Sequence, residues 1–149
     1  MTAILNEILQ APIFLEVAIV TIACQMVKIA TKSYEHKKFY WQGFVENGGM
    51  PSLHTTLTVS LATSIGLSEG FASPLFFVTT VFTAIVMRDA MGARRNVDIL
   101  TDIVNRVIRK EHVHMKPAEM ITGHTPLQVG TGFVFAVLGV LIMHSYVLA

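Results

Sequence analysis

Two histidines stand at the head of apolar runs in this chain of 149 residues. His54 ends the turn-forming stretch Gly48-Gly49-Met50-Pro51-Ser52-Leu53-His54, and the run "LTVSLATSIGL" follows almost at once. His124 precedes Thr125 and Pro126, a suitable N-cap and first helical residue. Cations gather at matching ends of other runs. Lys28, with Gln25 on the same helical face, lies near the end of the first run, and Arg88, Asp89, Arg94 and Arg95 follow the third. Helix N-termini together with Lys and Arg make an anion site, and a phosphate is the obvious occupant. A phosphomonoester dianion must have its charge neutralised before a nucleophile can approach. Neutral imidazole is such a nucleophile near neutral pH if an acceptor holds its other nitrogen, and a second imidazole can protonate the leaving alkoxide. Taken singly, each residue has a plainer reading. A histidine at a helix start is a cap, Arg94 and Arg95 are membrane anchors, and Asp89 is a partner for a neighbouring arginine. Their convergence at one level favours the enzyme.

Helices inside a membrane must position these groups. Apolar residues make up 52% of the chain and charged residues 14%, against about 25% charged in soluble domains. Three runs have the length and apolarity of membrane spans: Ala11 to Ala30, Phe71 to Met87, and Thr125 to Leu148. Leu53 to Leu67 is shorter, roughly 22 Å as a helix against a hydrocarbon core of about 30 Å. Extending it to Pro51 and Ser68 nearly closes that gap. Its Ser and Thr residues predict a span buried among the others, where hydroxyls bond across helices or back to the i−4 carbonyl. No cleavable signal peptide is expected, because the N-terminus lacks a basic region and Glu7 and Glu16 interrupt the first apolar stretch. Cys24 is the single cysteine, which excludes an internal disulfide.

All eleven Lys and Arg residues fall at or after the ends of the first and third runs. With four spans, both basic regions share one side, and the positive-inside rule makes that side cytoplasmic. Within the second basic region, Val97, Leu100, Ile103, Val104, Val107 and Ile108 recur at helical spacing between polar residues. This predicts an amphipathic helix, lying on the membrane surface or packed across the helix ends.

Three blocks, Gly-Gly-Met-Pro-Ser-Leu-His, Arg-Asp-Ala-Met-Gly-Ala-Arg-Arg and Gly-His-Thr-Pro-Leu-Gln-Val-Gly-Thr-Gly, occur in that order. Together they resemble the signatures of the divergent branch of the type 2 phosphatidic acid phosphatases. These are small membrane relatives of the lipid phosphate phosphatases and vanadium-dependent haloperoxidases. The resemblance covers about Gln25 to Gly132. It implies a metal-independent reaction through a phosphohistidine. His124 matches the nucleophile, His54 the general acid, Ser52 a donor to a phosphate oxygen, and Lys28 the lysine of the first signature. The usual arginine shortly before the nucleophile is absent, so Arg94 and Arg95, with Arg88, would replace it. The superfamily carboxylate that orients the nucleophile is Gln128 here. Its amide oxygen can accept the imidazole N–H but carries no charge; Glu119 or Asp89 are the candidates to compensate.

The remaining histidines have plain readings. His36 lies in a basic, aromatic interfacial stretch and His144 is structural. His112 and His114 lack convincing further ligands, so no metal site is expected. The resulting expectation is an all-α integral membrane bundle of about four transmembrane helices with an amphipathic cytoplasmic helix, a single domain over residues 1–149. The site would act without a cofactor at the cytoplasmic face of the cell membrane, on a phosphorylated lipid. Membrane lipids are the other implied partners and nucleic acid is not one; a homo-oligomer stays open. The alternative is a non-catalytic binder of anionic lipid on the same scaffold, and haloperoxidase activity is a weaker third option.

Overall fold

The computed structural model describes residues 11–39, 49–111, 115–118 and 123–147, with the side chains of residues 93–95 and 147 left aside. His112, His114 and Glu119 lie outside the described residues, as do the side chains of Arg94 and Arg95. Five helices are described: α1 Pro12–His36, α2 Leu53–Glu69, α3 Pro74–Met91, α4 Ala93–Lys110 and α5 Pro126–Val147.

The helix boundaries follow local chemistry. α1 runs beyond the expected Ala30 because nothing before Lys37 stops it. Lys37 takes the left-handed conformation at φ 51°, and the N–H groups of Lys37 and Lys38 return to the carbonyls of Tyr34 and Ser33. α3 begins at Pro74 rather than Phe71, because the Ser73 hydroxyl caps it by accepting from the Phe76 N–H at 3.2 Å. α4 follows after the single residue Gly92.

α2 is the centre of the bundle and packs against α1, α3 and α5. It covers about 25 Å, shorter than the hydrocarbon core. Small and hydroxyl-bearing side chains let its neighbours approach closely. Thr55, Thr56, Thr58, Ser60 and Ser64 are all buried. The Thr56 hydroxyl bonds to the Gly132 carbonyl of α5 at 3.2 Å and to Cys24 Sγ of α1 at 3.3 Å. Thr83 of α3 donates to the Thr58 carbonyl at 3.1 Å. α1, α3 and α5 are long and apolar enough to cross a membrane, the helical segment that holds the α3 span running on through α4. Large apolar side chains such as Ile22, Phe77, Val78 and Val134 remain exposed on these helices. On a chain of this composition, they form the surface that meets lipid. The architecture is therefore the all-helical membrane bundle with one amphipathic helix that the sequence predicts.

At the end of the bundle away from His54 and His124, Glu16 of α1 is fully buried. One carboxylate oxygen accepts from the Ser64 hydroxyl of α2, and the other meets His144 Nδ1 of α5 at 2.8 Å. A carboxylate within a span needs such partners, so this cluster ties three helices together.

Candidate active site

The chain enters α2 through Gly49, a cis Met50–Pro51 peptide and Ser52. Gly49 has φ +92°, and a Cβ there would lie 3.0 Å from Lys32 Cε and 3.2 Å from Lys28 Cε. A bare glycine lets the loop cross closely over the two lysine stems, which places Lys28, itself buried, directly beneath it. Ser52 is fully buried and is the N-cap of α2. Its oxygen accepts from the Thr55 N–H at 3.5 Å and from the Thr55 hydroxyl at 3.1 Å. Its backbone N–H donates to the Gln128 carbonyl at 3.0 Å, joining the loop to α5.

His124 is 4% exposed, and its backbone N–H donates to the Ala90 carbonyl of α3 at 3.0 Å. The neighbouring Gly123 N–H donates to Asp98 Oδ2 of α4 at 2.6 Å. At the start of α5, the Thr125 hydroxyl accepts from the Gln128 N–H at 3.3 Å, while Gln128 Oε1 accepts from the Thr125 N–H at 3.0 Å. This reciprocal pair is a capping box, legible in the sequence as Thr-Pro-Leu-Gln. The backbone donor fixes the amide orientation, because only the oxygen can accept from an N–H. That same oxygen lies 3.2 Å from His124 Nδ1. Because an amide oxygen only accepts, Nδ1 is the donor here, and in the neutral ring Nε2 is the acceptor nitrogen. The His54 and His124 rings lie edge-on to one another, 6.1 Å between centroids and 64° between planes.

The structure thus brings together Lys28, Ser52, His54, His124 and Gln128. Arg88 and Asp89 line a separate groove of about 440 Å³ with Ile85, Gly92 and Asn96, along the α3–α4 joint. Arg88 is two residues from Ala90, about 200° round the helix, so it leaves α3 on another flank from the carbonyl that holds His124. The contacts of His124 with Ala90 and of Gly123 with Asp98 have no signature in the sequence, since each joins a backbone group to a distant element. Among the described residues, no group of three or more His, Cys, Asp or Glu side chains could hold a metal ion.

Fold and site together define an integral membrane helical protein with a histidine pair at one end of its bundle. The chain belongs to the Divergent PAP2 family, whose profile matches residues 9–142. It is 27% identical over 137 residues to "Uncharacterized membrane protein YuiD" of Bacillus subtilis (strain 168), an alignment covering 82% of this chain and 87% of that one. No solved structure matches the chain.

Proposed function

We propose that this protein hydrolyses a phosphomonoester on a lipid, through a phosphohistidine at His124 and without a metal. The observation that carries this reading is the adjacent, edge-on imidazole pair, with Gln128 Oε1 accepting from His124 Nδ1. A phosphoryl group between the rings would meet His124 Nε2 on one side. His54 on the other would protonate the departing alkoxide and then take a proton from the water that hydrolyses the phosphohistidine. Lys28 supplies positive charge beneath the loop. Ser52 caps α2 and anchors α5; as a buried cap it would reach a phosphate oxygen only after local movement. Arg94 and Arg95, in the first turn of α4, are the arginines proposed to reach the phosphate, while Arg88 and Asp89 line the separate groove along the α3–α4 joint. The lipid tail has a place in the apolar cavity of about 320 Å³ bounded by α2, α3 and α5, where Val59, Ala62, Phe76 and Phe133 line the wall. The clustering of Lys and Arg beside this site supports a cytoplasmic orientation in the cell membrane.

A second reading is a binder of anionic lipid that does not turn it over, favoured by the uncharged Gln128. Purified protein assayed against a panel of lipid phosphates separates the two. The enzyme releases phosphate and traps an acid-labile phosphoenzyme; the binder retains lipid phosphate and releases none. His124→Ala should abolish both the phosphoenzyme and phosphate release. His54→Ala should slow formation of the intermediate, most severely for poor leaving groups. Undiminished turnover in His124→Ala overturns the mechanism.

A further inference from the structure

α4 is amphipathic in the opposite sense to a helix that packs on a bundle. Part of its polar flank, Asp98 and Asn105, faces the chain itself. Asp98 holds Gly123, and Asn105 exchanges two hydrogen bonds with Ala118, its Nδ2 donating at 2.9 Å and its Oδ1 accepting at 2.8 Å. Its apolar flank faces outward, with Val97, Leu100, Ile103, Val104 and Val107 between 44% and 61% exposed. At about 100° per residue these five side chains occupy an arc of roughly 120°. Among the described residues, α3 is the one helix that α4 packs against. None of the described residues buries the apolar stripe against the fold, the usual reason for an amphipathic helix.

The level of the helix indicates what covers this flank. α4 leaves the spanning helix α3 after one residue, and Asp98 is bonded to Gly123, three residues before the spanning helix α5. The first two turns of α4 are thus held where two spans leave the apolar layer. Arg109 and Lys110 close its C-terminal turn in exposed positions, where lipid phosphates would meet them.

We propose that α4 is an interfacial helix whose Val97, Leu100, Ile103, Val104 and Val107 flank inserts into the lipid leaflet on the basic side of the membrane. Through Asp98, this surface contact also holds the backbone immediately before His124. Insertion does not depend on catalysis, so it stands or falls apart from the phosphatase reading.

Tryptophan fluorescence tests it in the full chain. Trp41 is the single tryptophan, so a Trp41→Phe background accepts one probe at a time: Leu100→Trp or Val104→Trp on the apolar flank, Arg109→Trp on the polar flank. Each variant is placed in nanodiscs of phosphatidylcholine and phosphatidylglycerol, with and without brominated acyl chains. Probes at 100 and 104 should be blue-shifted and quenched severalfold more than the probe at 109. Equal quenching at all three positions overturns the proposal. So does strong disulfide cross-linking of Leu100→Cys in a Cys24→Ala chain without bromolipid quenching at 100, which would identify a second copy as the occupant.

Discussion

One amide oxygen, Gln128 Oε1, serves both the imidazole of His124 and the first turn of α5. The dual role explains how an amide can stand where the resemblance implies a carboxylate. The cap fixes which end of the amide faces the ring, and the ring tautomer follows. What the amide lacks is charge to stabilise the imidazolium-like state that would develop during attack in the proposed mechanism. In serine proteases, an aspartate-to-asparagine change behind the catalytic histidine lowers kcat by about 10⁴, partly through the wrong tautomer. Here the tautomer is already correct, so only the electrostatic share should be missing. Gln128→Glu keeps the capping box, since glutamate serves at that position equally well. It should raise kcat roughly 10- to 100-fold with little change in KM. Steady-state kinetics on one lipid phosphate decides this; an unchanged kcat would mean that Gln128 does not set the nucleophile's reactivity.

The helices hold the site by close backbone approach as much as by side-chain chemistry. Gly132 of α5 shows this most sharply: a Cβ there would lie 2.7 Å from the Ser52 carbonyl oxygen and 3.2 Å from its nitrogen. Backbone cannot swing aside as a flexible side chain can. Gly132→Ala should therefore push the Ser52 loop off α5, lowering stability by about 1–3 kcal/mol and separating His54 from His124. A Cβ at Gly130, two residues earlier, would meet nothing within 4 Å. Gly130→Ala should shift stability by less than about 1 kcal/mol. Thermal unfolding of both variants in the same detergent gives the comparison. Equal effects would show that the α2–α5 contact is looser than described.

For the molecule as a whole, alternating helix directions bring the C-terminal ends of α1 and α3 and the N-terminal ends of α2 and α5 to the histidine face. The Glu16, Ser64 and His144 cluster lies at the other. All eleven Lys and Arg residues fall in the sequence in or after the C-terminal halves of α1 and α3, the halves that lead to the histidine end. Single cysteines at Lys37, Ser73 and Arg109 in a Cys24→Ala chain test the orientation in intact cells. An impermeant reagent added outside should label position 73 alone. Labelling at 37 and 109 instead would invert the topology and put the phosphate site outside.

Much of this arrangement was legible in the residues. Membrane helices announce themselves by apolar runs, because a span must satisfy its backbone internally and meet lipid with its side chains. The hydroxyls of α2 marked it as the buried helix, and Thr125 with Pro126 marked the start of α5. The spacing of His124 and Gln128, one helical turn, was enough to predict their contact. Other features depend on elements distant in sequence, which local periodicity cannot relate. Glu16 read only as an interruption of an apolar stretch until the fold brought Ser64 and His144 to its two oxygens. Arg88 sits in the expected block, yet the phase of α3 turns it away from the carbonyl that holds His124. The stripe on α4 predicted an amphipathic helix and left open whether its apolar flank faced bundle or lipid. Asp98 bonding to Gly123 and Asn105 to Ala118 turned the polar flank inward, a choice only the tertiary structure could make because it rests on contacts 13 and 25 residues apart in the chain.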